Sequence, residues 1–131
     1  MTNPPTILLV EDNQTLRLIY KNQLVHDGYT MLEAGTVKDA YEQLQNHLVD
    51  LLLLDIMLPD KSGLAFLEEL RQETRFAKLP IIMLTSLPDE AAFGKSLPFG
   101  IHGYLVKDQL IPPQLSQRVK LALAETKPQK P

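Results

Sequence analysis

The feature that most restricts how this chain can fold is an unbroken apolar run, Leu51-Leu52-Leu53-Leu54, that ends on the carboxylate of Asp55. A strand with one wet face alternates apolar and polar residues, whereas one covered on both faces reads as a continuous apolar stretch. The run therefore predicts a central strand with helices on both sides. Similar runs are Ile7 to Val10 and Ile81 to Leu84, and less continuous short strands are predicted from Tyr29 to Ala34 and from Gly103 to Val106.

Between these runs the apolar spacing changes to helical. Leu16, Ile19, Tyr20, Leu24 and Val25 predict a first helix that stops at Asp27-Gly28. Thr36 caps a second carrying Val37, Ala40, Tyr41 and Leu44, which exits near Asn46-His47. A third runs from about Leu64 to Gln72, and Pro88-Asp89-Glu90 opens a fourth that Gly94 and Pro98 weaken. Pro112-Pro113 opens the last. Five strands alternating with five helices imply an α/β, doubly wound parallel sheet, in which ligands bind outside the carboxyl ends of the strands.

At 131 residues the chain is expected to be one domain over residues 6–124, with a disordered tail at 1–5 and a tail or linker stub at 125–131. The absence of cysteine excludes disulfides and thiolate metal sites. No signal peptide or membrane-length apolar run is visible, so a cytoplasmic protein without membrane contact is expected. The net charge of −3 offers no basic footprint for direct contact with nucleic acid. His26, His47 and His102 lack metal-ligand spacing and read as surface or capping residues.

The predicted strand ends gather Glu11, Asp12, Asp55, Thr85 and Lys107. Asp55 alone would be an ordinary turn or cap residue, and Glu11 a solvated one, but three acids in one cleft need a counter-charge. An oxygen-only donor set suits Mg2+ better than zinc. A divalent ion, an ammonium group and a hydroxyl together stabilise a phosphoryl group in transfer, and Asp55 is then the candidate nucleophile. No glycine-rich phosphate loop follows the first strand, which disfavours nucleotide or flavin binding.

These dispersed residues resemble the receiver domain of two-component response regulators, of the chemotaxis-regulator type, over about Thr6 to Ala124. Glu11-Asp12 match the acidic pair, Asp55 the phosphoacceptor, Thr85 the switch hydroxyl, Tyr104 the switch aromatic and Lys107 the invariant-type lysine. Pro59 and Gly63 match the loop after the phosphoacceptor. Tyr104 on its own could equally be core. The resemblance implies a flavodoxin-like sheet of order 2-1-3-4-5. It also implies Mg2+ held by Asp12, Asp55 and the backbone carbonyl of Met57, with Glu11 acting through water. A histidine kinase or phosphotransfer protein would be the donor, in a signalling or phosphorelay role. An unidentified output partner, or a second copy, would read the face around the fourth helix, fifth strand and fifth helix.

Two points depart from or qualify the resemblance. Asp108 stands where the family usually has proline after the lysine, and a cis bond before a non-proline costs about 3 kcal/mol, so Lys107-Asp108 is expected to be trans. Met57 and Leu87 flank the path of attacking water and are apolar, while Ser86 is small enough to admit phosphate, so slow autodephosphorylation is expected. Two competing readings remain at this point. One is an aspartate-nucleophile phosphatase, which generally wants an Asp where Met57 stands; the other is a degenerate receiver serving as a constitutive scaffold.

Overall fold

The computed structural model describes residues 3–86 and 89–125. In chain order the elements are β1 (Thr6–Val10), α1 (Gln14–His26), β2 (Thr30–Ala34), α2 (Val37–Asn46), β3 (Leu51–Asp55), α3 (Gly63–Gln72), β4 (Ile81–Thr85), α4 (Glu90–Ser96), β5 (Gly103–Val106) and α5 (Pro112–Glu125). The five strands form one parallel sheet in the order β2-β1-β3-β4-β5.

The continuous apolar runs are explained by two cores, one on each face. Leu8, Val10, Leu52, Leu54, Ile81 and Met83 point to one side, where they meet Ala40 and Leu44 of α2 and Phe66, Leu67 and Leu70 of α3. Their neighbours Ile7, Leu9, Leu51, Leu53, Ile82 and Leu84 point to the other, against Tyr20 and Leu24 of α1 and Leu115, Val119 and Ala122 of α5. All four leucines of β3 are fully buried, each contributing roughly 2 kcal/mol of apolar transfer. A polar residue at any of them would have no wet side to face.

Helix starts follow local chemistry. Asn13, Thr36, Ser62 and Asp89 cap α1, α2, α3 and α4, each accepting from a backbone N–H two or three residues on. Gly28, at φ +99°, takes the left-handed conformation that ends α1, as expected from the sequence. α4 runs through Gly94 and stops before Pro98, which lies in a 3-10 turn, Leu97–Phe99. Further 3-10 turns cover Thr74–Phe76 and Lys107–Gln109, so Lys107 begins a turn rather than ending a strand. α3 starts one residue before its expected Leu64, and α5 ends at Glu125, one residue past the expected domain limit. Pro5, assigned to the 1–5 tail by sequence, accepts from Thr30 N–H through its carbonyl at 3.0 Å. Most of the 125–131 tail, and Leu87 and Pro88, lie outside the described residues.

His102 departs from its expected surface role. It is half-buried before β5, with Nδ1 enclosed and unpartnered among the described residues, and burial pushes its pKa down, helped by the Arg71 charge. His26 and His47 are exposed, and His47 closes α2, with Nδ1 3.2 Å from Gln43 O.

Candidate phosphoacceptor and cation site

Parallel register decides which residues meet beyond the strand ends. Val10 is level with Leu54, so the next residues, Glu11 and Asp55, stand side by side. Thr85 pairs with Val106, and Lys107 follows directly. The chain turns sharply after β1: Glu11 N–H still donates to Ala34 O at 3.0 Å, while Asn13 N–H donates back to Glu11 Oε2 at 3.0 Å. Asp12 is left exposed at the apex.

Glu11 is fully buried, so the solvated alternative is excluded, and Asp55 is 1% exposed. Lys107 Nζ joins them, donating to Glu11 Oε1 at 2.7 Å and Asp55 Oδ2 at 3.1 Å. Asp55 Oδ1 accepts from Met57 N–H at 3.2 Å. Burial raises the Glu11 pKa despite the hydrogen bond from Lys107. Burial also works against the charge of Lys107, but its bonds to Glu11 and Asp55 prevail and its pKa is raised. Carboxylate oxygens of Glu11, Asp12 and Asp55 lie within 4.8 Å of one another, and one ammonium does not balance three acids. That oxygen-only set with a surplus of negative charge fits a hard divalent cation.

These acids, Lys107, Met57 and Ser86 line a cleft of about 470 Å³. Met57, 69% exposed, stands at its mouth. Thr85 is buried next to it, and Tyr104 is half-buried, its hydroxyl donating to Asp89 O at 3.3 Å and its ring edge-on to Phe93 at 5.2 Å. Burial, then the Asp89 charge, raises the Tyr104 pKa, with a hydrogen bond to Thr85 acting the other way. Tyr104 is thus not plain core. No peptide bond among the described residues is cis, so Lys107-Asp108 is trans as expected.

Gly63 is fixed by close approach. A Cβ there would lie 2.1 Å from the carbonyl oxygen of Asp55, and Gly63 N–H donates to Ile56 O at 2.7 Å. The start of α3 is thereby pressed against the end of β3. Two contributors escaped the sequence reading. Arg17 Nη1 donates to Glu11 O at 2.8 Å, and Asp60 accepts from the first two N–H groups of α2. Neither has a local sequence signal, because both partners are brought by the fold.

The sequence model of the response regulator receiver domain matches residues 7–120. The phosphate regulon transcriptional regulatory protein PhoB of Rhizobium meliloti is 37% identical over 125 residues, covering 95% of this chain and 55% of that protein. The chain thus spans about half the length of the PhoB relatives it matches. Chemotaxis protein CheY1 of Helicobacter pylori is 34% identical over 119 residues, covering 89% of this chain and 95% of that protein. The crystal structure of a CheY-like receiver domain protein from Methanospirillum hungatei superposes with a TM-score of 0.86 at 28% identity, over 93% of this chain and 95% of that one. With the acids, hydroxyl and lysine of the motif meeting at the ends of a 2-1-3-4-5 sheet, and with this match across nearly its whole length, the chain belongs to the response regulator receiver domain family.

Proposed function

We propose that Asp55 accepts a phosphoryl group from a histidine kinase or phosphotransfer protein in a Mg2+-dependent reaction, and that the aspartyl-phosphate switches a partner-binding surface. The observation that carries this is the buried Asp55 carboxylate, with Lys107 on one oxygen and Met57 N–H on the other, beside two further acids. Asp12, Asp55 and the Met57 carbonyl would hold Mg2+, with Glu11 acting through water. When bound, the ion supplies a counter-charge for the phosphoryl oxygens. Asp55 provides the attacking oxygen; Lys107 exchanges its carboxylate partners for a phosphoryl oxygen; the burial that raises the Glu11 pKa keeps bulk water from the back of the cleft.

Phosphorylation replaces the single charge of the Asp55 carboxylate with up to about two on the phosphoryl group, further out at the strand ends. Thr85 moves toward them, releasing its bond to Tyr104, and Tyr104 repacks against α4. The exposed side chains of Phe93 and Leu97 place apolar surface on that face, where an output partner or a second copy binds. Among the described residues no helix is long and apolar enough to cross a membrane, and a cytoplasmic location is part of this proposal. Incubation with Mg2+ and acetyl phosphate, followed by intact mass, tests it. A lasting single phosphate on Asp55 is expected; continuous release of inorganic phosphate would instead indicate a phosphatase, and no reaction a scaffold.

A further inference from the structure

Asp60 lies in the loop between β3 and α3, five residues after Asp55, yet its carboxylate bonds to a different helix. Oδ1 accepts from Val37 N–H at 2.9 Å and Oδ2 from Lys38 N–H at 3.0 Å. The third N–H of α2, from Asp39, goes to the local cap, Thr36 Oγ1, at 3.0 Å. An α-helix needs acceptors for its first donors, but nothing requires that a remote loop supply them. A bidentate, charge-assisted pair fixes both the position and the orientation of the group that makes it.

What Asp60 fixes is one wall of the acidic cleft, since Met57, Leu58 and Pro59 of the same loop line it. The loop's ends are already held, by β3 before it and by the bond of Gly63 N–H to Ile56 O after it. Asp60 holds its middle. We infer that Asp60 is a positioning residue for the cation site, tethering the segment that presents the Met57 carbonyl, so that cation binding and the capping of α2 are energetically linked. The inference rests on the Mg2+ reading above. Linkage is reciprocal, so whatever factor the tether adds to cation affinity, the cation adds to the tether.

The test is a Mg2+ titration followed by amide NMR, with hydrogen exchange at Val37 and Lys38 in the presence and absence of Mg2+, on the wild type, Asp60→Ala, Asp60→Asn and Thr36→Ala. Mg2+ should slow exchange at both amides in the wild type. Asp60→Ala should weaken Mg2+ binding about five-fold, within the usual range of coupling between sites, and abolish that response. Asp60→Asn, which keeps one acceptor oxygen, should fall between. Thr36→Ala loosens α2 without touching the loop and should weaken Mg2+ binding clearly less than Asp60→Ala does. Unaltered affinity in Asp60→Ala, or equal weakening in Thr36→Ala, would overturn the inference by reducing Asp60 to an ordinary cap. A wild type whose Asp12 and Asp55 amides ignore Mg2+ would instead remove the cation reading, and the inference with it.

Discussion

The two ends of the sheet hold comparable numbers of charged side chains and use them in opposite ways. At the amino ends of the strands, charge is directed to the backbone. Arg71 donates to Phe99 O at 2.6 Å, Phe76 O at 2.7 Å and Gly100 O at 3.3 Å. Arg75 donates to Leu44 O at 2.8 Å with its guanidinium over the Phe76 ring, and Asp50 accepts from Thr6 N–H at 2.7 Å. These bonds satisfy backbone groups where the chain leaves or enters its regular elements. At the carboxyl ends Arg17 and Asp60 still bond to the backbone, but within the cleft side chains face side chains, and Lys107 is shared between Glu11 and Asp55 beside Asp12. The larger cleft, about 970 Å³, lies at the amino end, against about 470 Å³ at the acids. Size is therefore the wrong guide here. On the proposed function, a surplus of one charge with mutually facing carboxylates marks the reactive end, and satisfied backbone groups mark the structural one.

The strongest test of that contrast is Asp55→Asn, which keeps shape and burial but removes the nucleophile. Intact mass after acetyl phosphate and Mg2+ should show complete loss of phosphate uptake, with an unchanged far-ultraviolet circular dichroism spectrum. Next comes Gly63→Ala, where the new Cβ would have to displace Asp55 O from 2.1 Å. Urea unfolding should show a loss of about 3 kcal/mol, the upper range for overpacking, together with impaired phosphorylation because the end of β3 shifts. This variant links stability and function at one end of the sheet.

Arg71→Met should separate them at the other. Three carbonyls lose the Arg71 donor, and Phe76 O keeps its bond from Leu79 N–H at 3.3 Å, which should cost about 2 to 3 kcal/mol in urea unfolding, while the rate of phosphate uptake stays within about two-fold. A large loss of uptake without a matching loss of stability would break the division between the ends. A finer test uses pH. Hydrogen bonds from Val37 N–H above all, then from Lys38 N–H, lower the Asp60 pKa. A depressed acid contributes stability that is complete above its unfolded pKa, about 3.9, and lost as the pH falls through the lower folded value. Exchange protection at Val37 and Lys38, corrected for intrinsic rates, should stay level from about pH 7 to 5 and decline only below about 4. In Asp60→Asn it should lack that acid decline. The smallest effect is expected at the two apolar positions that the resemblance to receiver domains sets beside the path of attacking water. Met57→Asn with Leu87→Glu should shorten the lifetime of the phosphorylated form by up to about ten-fold, about 1.4 kcal/mol of barrier, measured as phosphate loss after donor removal.

Much of this was legible from neighbours in the chain. Apolar runs gave the strands, helical spacing gave the helices and Thr36 was legible as a cap, because these signals act over a few residues; the caps Asn13, Ser62 and Asp89 were identified only in the structure. Asp55, alone an ordinary turn or cap residue, stood out through its company, two further acids and a lysine at neighbouring predicted strand ends. Asp12, Thr85 and Lys107 were readable as a set, since a parallel sheet brings its carboxyl ends together, whereas Tyr104 was picked out only by the resemblance to receiver domains.

Burial and pairing were not legible. The sequence left Glu11 open to solvation and His102 on the surface, whereas the fold buries Glu11 completely and encloses His102 Nδ1. It offered no sign that Asp60 would cap a helix beginning 23 residues earlier, that Arg17 would hold Glu11 O, or that Arg71 would bind three carbonyls. A hydrogen bond between distant residues depends on which chain ends the packing places within about 3 Å, and sequence periodicity does not encode that distance. The sequence by itself determined the elements and the chemical inventory at their ends; the tertiary structure decided which charges face one another and which are absorbed by the backbone, because only packing sets the solvation and the partners of each group.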